Sequence, residues 1–245
     1  MKLNEFLSKV DCTTLEASAV GRDFAKMTKD ACDWGCRAVC VPMGAYFACQ
    51  AAIRGWRSEN AMHPHDVKLA TVIDFPDGAL NTDSRTALVR EAKRLGFHEV
   101  DVVMRIGHFL DGDYGFVDYD VSLGTRGFLR YVDSDIEAIV RAAQGMKVKV
   151  IVETGYLNDQ QILNSAKMVV LCAHYWKTST GRDPKVSIEE KARHIRLVRE
   201  AFPKLKIKAA GGIRTQEDVL LLDDAGADIF GISWPSLKEI ISHWK

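Results

Sequence analysis

The sequence predicts an α/β fold in which eight parallel strands close into a (β/α)8 barrel. Three observations predict it. Eight short runs rich in β-branched and apolar residues recur along the chain, and helical patterns with apolar residues three and four apart separate most of them. Strands that alternate with helices must pair in parallel through crossovers, which excludes a meander of hairpins. No linker or low-complexity segment divides the 245 residues, a length usual for one such barrel, so residues 1–245 read as a single domain of TIM-barrel type. An open, doubly wound sheet is the alternative.

The strand runs are, in order, "KVDCT" (9–13), "RAVCV" (37–41), "KLATVID" (68–74), "HEVDVVM" (98–104), "KVKVIVE" (147–153), "KMVVLCAHYW" (167–176), "LKIKAA" (205–210) and "ADIFGIS" (227–233). Helical spacing is plain in "SRTALVREAKRLG" (84–96) and in "SIEEKARHIRLVREAF" (187–202). Glycines in "LGFHEV" and "AGADIF" mark helix ends, and "SIEE" and "TQED" read as helix starts with a hydroxyl cap and an acid three residues on. The longest insertion, "HFLDGDYGFVDYDVSLGTRGF" (108–128), follows strand four and reads as an active-site loop or one extra helical turn.

Composition narrows the function. Lys plus Arg and Asp plus Glu each number 33, a formal net charge of zero, which argues against a nucleic-acid partner. No apolar run approaches the ~20 residues of a membrane span. The first eighteen residues lack an apolar signal core, so a cytoplasmic location is expected. The six cysteines read as free thiols, with Cys32 and Cys36 one helical turn apart and Cys40 on a strand. They form no zinc set, and His63 and His65 in "MHPHD" read as polar surface, so no metal and no cofactor is expected.

In a barrel of this kind, function collects at the carboxyl ends of the strands. Those ends carry Asp11 and Thr14, Cys40, Asp74, Asp101, Glu153, Lys177, Lys208, and Gly231 with Ser233. Ala173, Tyr175 and Lys177 share one strand face, so Lys177 points into the barrel mouth if that face lines it. Lysine in water has a pKa of ~10.4 and is not nucleophilic at neutral pH. Burial and a second cation nearby lower that value, which makes Lys177 a candidate Schiff-base nucleophile with Lys208 as the tuning cation. Asp101 could shuttle the proton, and Asp11, Asp101 and Glu153 could balance the charge. Spacing alone equally allows structural ion pairs. "KAAGGIRT" and "FGISWPSL" place Gly211, Gly212 and Ser233 just before helix starts, an arrangement suited to an anion, and Arg182 after Gly181 could add a charge.

At this point "KTSTG", "KAAGGIRT", "EVDVVM" and "VIVETGYL" resemble segments of the deoxyribose-phosphate aldolase family, as do "VDCTTLEA", "AVCV", "VIDFPDGA" and "DGDYGFV". The resemblance runs from about residue 10 to residue 235. It implies a class I aldolase that cleaves 2-deoxy-D-ribose 5-phosphate reversibly to D-glyceraldehyde 3-phosphate and acetaldehyde, without a metal. By motif it implies that Lys177 forms the Schiff base, Lys208 lowers its pKa and Asp101 relays the proton. Asp11, Thr14 and Cys40 then fall near the substrate, and Gly181, Arg182, Gly211, Gly212 and Ser233 at the phosphate. The partner is a phosphosugar, and a homo-oligomer, dimer or tetramer, stays open. The alternatives are an aldolase of the same barrel with another aldehyde or ketone, and a non-catalytic phosphosugar-binding protein. The chain departs from the family pattern at Asp74, Asp77, Arg105 and Trp234. Asp74 and Arg105 are expected to pair with each other across neighbouring strands.

Overall fold

The computed structural model describes residues 1–61, 67–112, 131–182 and 186–245. Strands β1 (Val10–Thr13), β2 (Ala38–Val41), β3 (Lys68–Ile73), β4 (Glu99–Val103), β5 (Lys147–Ile151), β6 (Tyr175–Lys177), β7 (Lys206–Ala210) and β8 (Ile229–Ser233) pair in parallel and in sequence order. β1 pairs with β8, so the barrel closes and the open-sheet alternative falls. Helix α1 (Leu3–Leu7) precedes β1. Between and after the strands come α2 (Gly21–Trp34), α3 (Tyr46–Glu59), α4 (Thr82–Leu95), α5 (Ile106–Leu110), α6 (Tyr131–Ala143), α7 (Asp159–Cys172), α8 (Ile188–Ala201), α9 (Gln216–Asp224) and α10 (Trp234–His243).

The helix boundaries follow local chemistry. Ser187 accepts the Glu190 N–H, and Thr215 and Asp218 close a reciprocal capping box, as the two start motifs predict. Gly96 ends α4 at φ 104°, and a side chain there would also strike the Tyr46 hydroxyl.

Each strand divides its residues between two environments. Val100, Val102, Val148, Val150, Trp176, Ile207 and Phe230 are fully buried in the apolar layer between sheet and helices, each contributing ~1.5–3 kcal/mol by leaving water. Trp176 also donates its indole N–H to Ser165 Oγ on α7 at 2.9 Å. The alternate residues face the barrel axis, and there the chain places charge. Small neighbours make the room. Asp11 is flanked in register by Ala38 and Gly231, and a Cβ on Gly231 would lie 3.0 Å from Lys208 Cε.

Two expectations need correction. The expected sixth strand begins too early, because residues 167–172 form the last turns of α7 and only Tyr175–Lys177 is strand. Asn158 and Gln161 cap that helix, and burial of Ile162, Ser165, Ala166 and Val169 follows a helical period, while Val170 and Leu171 stay exposed. A short apolar run cannot by itself distinguish strand from buried helix. Cys32 is on α2, but Cys36 lies beyond its end, after Gly35 in the left-handed conformation, so the two are not successive turns of one helix. The six cysteines form no disulfide. His63 and His65 lie outside the described residues, as does most of the insertion after β4, whose first part is α5.

Candidate active site

Lys177 and Lys208 are register partners on β6 and β7, so two ammonium groups would stand side by side. A carboxylate between them makes this tolerable. Asp101 Oδ2 on β4 accepts from Lys177 Nζ and from Lys208 Nζ, each at 2.8 Å. Lys208 also reaches Asp11 Oδ2 at 2.5 Å. Beneath them Lys149 Nζ meets Asp101 Oδ1 at 2.8 Å and Glu99 Oε2 at 2.5 Å. Arg37 closes the lower end, with two bonds to the Glu99 carboxylate at 2.7 and 2.6 Å and one to Asp11 Oδ1 at 2.7 Å.

Among the described residues this buried column holds four cations, Arg37, Lys149, Lys177 and Lys208, against three carboxylates, Asp11, Glu99 and Asp101, while the half-exposed Lys68 reaches Glu99 from solvent at 3.8 Å. The buried column is neutral only when one cation gives up its proton. Lys177 is the one least held, because among the described residues Asp101 is the only carboxylate in ion-pair contact with it and is shared with two other lysines. Burial lowers the Lys177 pKa, and Lys208 repulsion lowers it further against the attraction of Asp101. For Lys208, burial acts downward too, but Asp101 and Asp11 overcome it and leave the amine above the ordinary lysine value. Burial would raise Asp101, yet Lys149, Lys177 and Lys208 hold it well below the usual carboxylate range. Glu99 is held down at about 2, where Arg37 and Lys149 outweigh its burial. The surroundings thus push the two neighbouring lysines in opposite directions.

Above this column opens a cavity of about 560 Å³. Lys177 forms its floor, and Thr14, Gly181, Arg182, Gly211, Gly212 and Ser233 line its walls. Asp11, Cys40, Asp101 and Lys208 do not line it and lie beneath, each at most 1% exposed. Burial pushes the Cys40 thiol up to about 11, so it stays protonated. Gly211 has φ 86°, and a Cβ there would fall 2.6 Å from Ser179 Oγ and 2.9 Å from Gly181 Cα. Only glycine lets these two turns touch. Ser233 caps α10 by accepting the Ser236 N–H, which brings that helix N-terminus to the cavity. Arg182 reaches across to the Leu15 carbonyl at 3.4 Å and Glu16 at 3.6 Å.

A smaller cavity of about 440 Å³ adjoins at Thr180 and Arg182 and includes Asp77 and Glu153. Glu153 is buried at φ 54°, accepts the Thr180 N–H at 2.9 Å, and is pushed up by burial. A larger, shallower depression of about 770 Å³ lies at the N-terminal ends of α7 and α8, where Arg193 binds Asp159 and Glu190 and His194 meets Glu190 at 3.1 Å.

The departures at Asp74, Arg105 and Trp234 find local explanations. Asp74 adopts φ 54° and accepts the Ala79 and Leu80 N–H groups at 3.1 and 3.0 Å, and its carboxylate faces the buried Arg85 at 3.4 Å. The expected Asp74–Arg105 pair therefore gives way to an Asp74–Arg85 pair, and Arg105 donates to the Leu80 carbonyl at 3.0 Å. Trp234 turns its indole N–H to Asp30 on α2 at 2.9 Å. Sequence reasoning missed Arg37, Glu99 and Lys149. The available signal was opposite charge at matching phase on adjacent strands, since Asp101 and Lys149 are register partners.

No family model matches the chain. It is 33% identical over 234 residues to the deoxyribose-phosphate aldolase of Dictyoglomus turgidum, covering 95% of each chain. It is 36% identical over 228 residues to that of Thermococcus gammatolerans, covering 91% of this chain and 90% of the other. Among solved structures, the tetrameric deoxyribose phosphate aldolase of Aeropyrum pernix superposes with a TM-score of 0.78 at 25% identity, over 98% of this chain and 92% of that one.

Proposed function

The chain belongs to the deoxyribose-phosphate aldolase family, and from that premise we propose that it works through a Schiff base on Lys177. It is an aldolase, a lyase that cleaves 2-deoxy-D-ribose 5-phosphate reversibly to D-glyceraldehyde 3-phosphate and acetaldehyde. The observation that supports the mechanism is the convergence of Lys177 and Lys208 on one oxygen of Asp101 beneath a cavity.

In this reading the neutral Lys177 amine attacks C1 of the open-chain sugar, and loss of water leaves an iminium. The iminium withdraws electrons as the C2–C3 bond breaks and the C3 hydroxyl proton leaves. Glyceraldehyde 3-phosphate departs, and the two-carbon fragment stays on Lys177 as an enamine. Protonation at C2 and hydrolysis then release acetaldehyde and restore the amine. Asp101 relays the protons through water. Asp101 stays charged between the two amines and bonds both Lys177 and Lys208 at 2.8 Å, which supports a relay role by position. Lys208 keeps its charge and thereby helps Lys177 lose its own. Gly181, Gly211, Gly212, Ser233 and Arg182 receive the phosphate, with Thr14 beside the sugar, while Asp11 and Cys40 lie below the cavity and act through the lysines rather than by touching the substrate.

Among the described residues, no helix is long and apolar enough to cross a membrane. Six cysteines without a disulfide support a cytoplasmic setting. The tetrameric Aeropyrum relative makes a homo-oligomer the assembly to test. The decisive experiment is borohydride trapping with 2-deoxyribose 5-phosphate. Reduction should fix the two-carbon fragment on Lys177 and stop turnover, and Lys177→Leu should lose both labelling and activity. Labelling mapped to another lysine would refute the assignment.

A further inference from the structure

Helix α8 carries a residue that its amphipathic pattern does not require. Lys191 shares the buried face with Ile195 and Val198 and is 2% exposed. An apolar side chain would need no compensation there, whereas a buried ammonium loses hydration worth several kcal/mol. Its amine donates to the Gly211 carbonyl. Glu153, from the end of β5, and Asp218, on α9, are the titratable groups that attract it electrostatically. Gly211 opens the turn that lines the cavity, with its backbone against Gly181. Ile188, the first residue of α8, packs behind the same turn, 3.9 Å from where a Gly212 side chain would begin. The lysine therefore approaches the turn from the side away from the cavity.

We infer that Lys191 is a positioning residue for the anion turn, holding the Gly211 carbonyl toward α8 and setting a positive charge behind the Gly211–Gly212 backbone, so that the enzyme prefers a substrate ending in a dianionic ester. The inference rests on the reading that this turn receives the phosphate. A carbonyl oxygen facing the cavity would repel a phosphate, and a cation behind the turn attracts one. Burial pushes the Lys191 amine down to about 8, so the charge is present at neutral pH and fades in mild alkali.

The test compares kcat/KM for 2-deoxyribose 5-phosphate and for 2-deoxyribose in the parent, in Lys191→Met and in Arg182→Ala. The ratio of the two cancels the titration of Lys177, because both sugars react at C1. At pH 7 the ratio should fall about 10-fold in Lys191→Met, roughly 1.4 kcal/mol, mainly through KM for the ester. Turnover of the free sugar should stay within about twofold. In the parent the ratio should drop ~3-fold or more between about pH 7 and 9, while the ester, with a second pKa of about 6, remains a dianion. An unchanged ratio in the variant, or equal losses on both sugars, overturns the inference. If Lys191→Met does not fold, the parent decides, since a ratio flat over that pH range also overturns it. Equal use of both sugars by the parent rejects the phosphate reading and this inference with it. A preference lost in Arg182→Ala but kept in Lys191→Met rejects the inference alone.

Discussion

Lys149 and Lys177 are both buried, both point along the barrel axis, and both bond Asp101 at 2.8 Å. Their environments drive them in opposite directions. Lys149, at the lower end, has Asp101 and Glu99 in contact and Asp11 at 3.7 Å, and these carboxylates outweigh its burial and raise its pKa. Lys177, at the upper end, has its burial offset by only one shared carboxylate, with a neighbouring ammonium beside it, and its pKa falls. The difference teaches that burial alone does not make a nucleophile. What separates the two lysines is how many carboxylates remain for each after its neighbours are satisfied, and the proposed Schiff base rests on that difference.

The largest effect expected from this contrast is on stability. Removing one partner from a buried ion network leaves an uncompensated charge and typically destabilises by ~3–5 kcal/mol. Lys149→Met should therefore lose about that much in urea denaturation, and Glu99→Gln added to it should recover part of the loss. Lys177→Leu removes the cation in excess, so its stability should lie within ~1 kcal/mol of the parent. A loss as large as that of Lys149→Met would show that the two lysines are equivalent and break the contrast.

The same column shows what the sequence makes legible. Lys177 was visible because it ends an apolar run before "TSTG", and Lys208 because "KAAGG" sets it two alanines before a glycine turn, although β7 places it mid-strand. The barrel was visible because alternation with helices permits little else, and the hydroxyl caps located α8 and α9. Lys149 was not visible. It lies inside "KVKVI", where alternating lysines read as an exposed strand face, and only the register with Asp101 shows that this face is the barrel interior. Arg37, just outside β2, acquires meaning only when closure brings Glu99 beside it. Lys191 hides on a helix with several other basic residues, and its burial depends on how α8 meets the β7 turn. The boundary of β6 failed for a different reason, because a helix whose last turns are apolar resembles a strand over six residues.

A somewhat smaller effect should come from Lys208, and it acts on rate. With Lys208→Leu, Lys177 loses a repelling neighbour and gains a larger share of Asp101, so its pKa should rise. A rise of two units would leave about a hundredfold less neutral amine at pH 7, near 2.7 kcal/mol. Raising the pH should restore part of that rate, and a pH–rate profile shaped like the parent's would mean that Lys208 acts by orienting Asp101 instead.

The smallest effect isolates Lys177 without relying on catalysis. Its amine has a lower pKa in the fold than the ordinary value of 10.5. Between those two values the unfolded chain holds a proton that the folded chain lacks, so stability rises with pH. One such proton gives a slope of at most ~1.4 kcal/mol per pH unit. Other groups titrate nearby. Lys191, lowered to about 8, adds a slope of the same sign, and buried thiols such as Cys40, raised to about 11, add one of opposite sign above their unfolded value. Lys149 and Lys208, both raised, contribute stability that is present below 10.5 and is lost only as the pH climbs toward their folded values. These contributions cancel when the stability of Lys177→Leu is subtracted from that of the parent across pH 7 to 10. The difference should climb with pH by up to the slope of one proton. A flat difference would mean that Lys177 keeps its proton in the folded protein, and the fourth cation of the column would then be held as firmly as the other three.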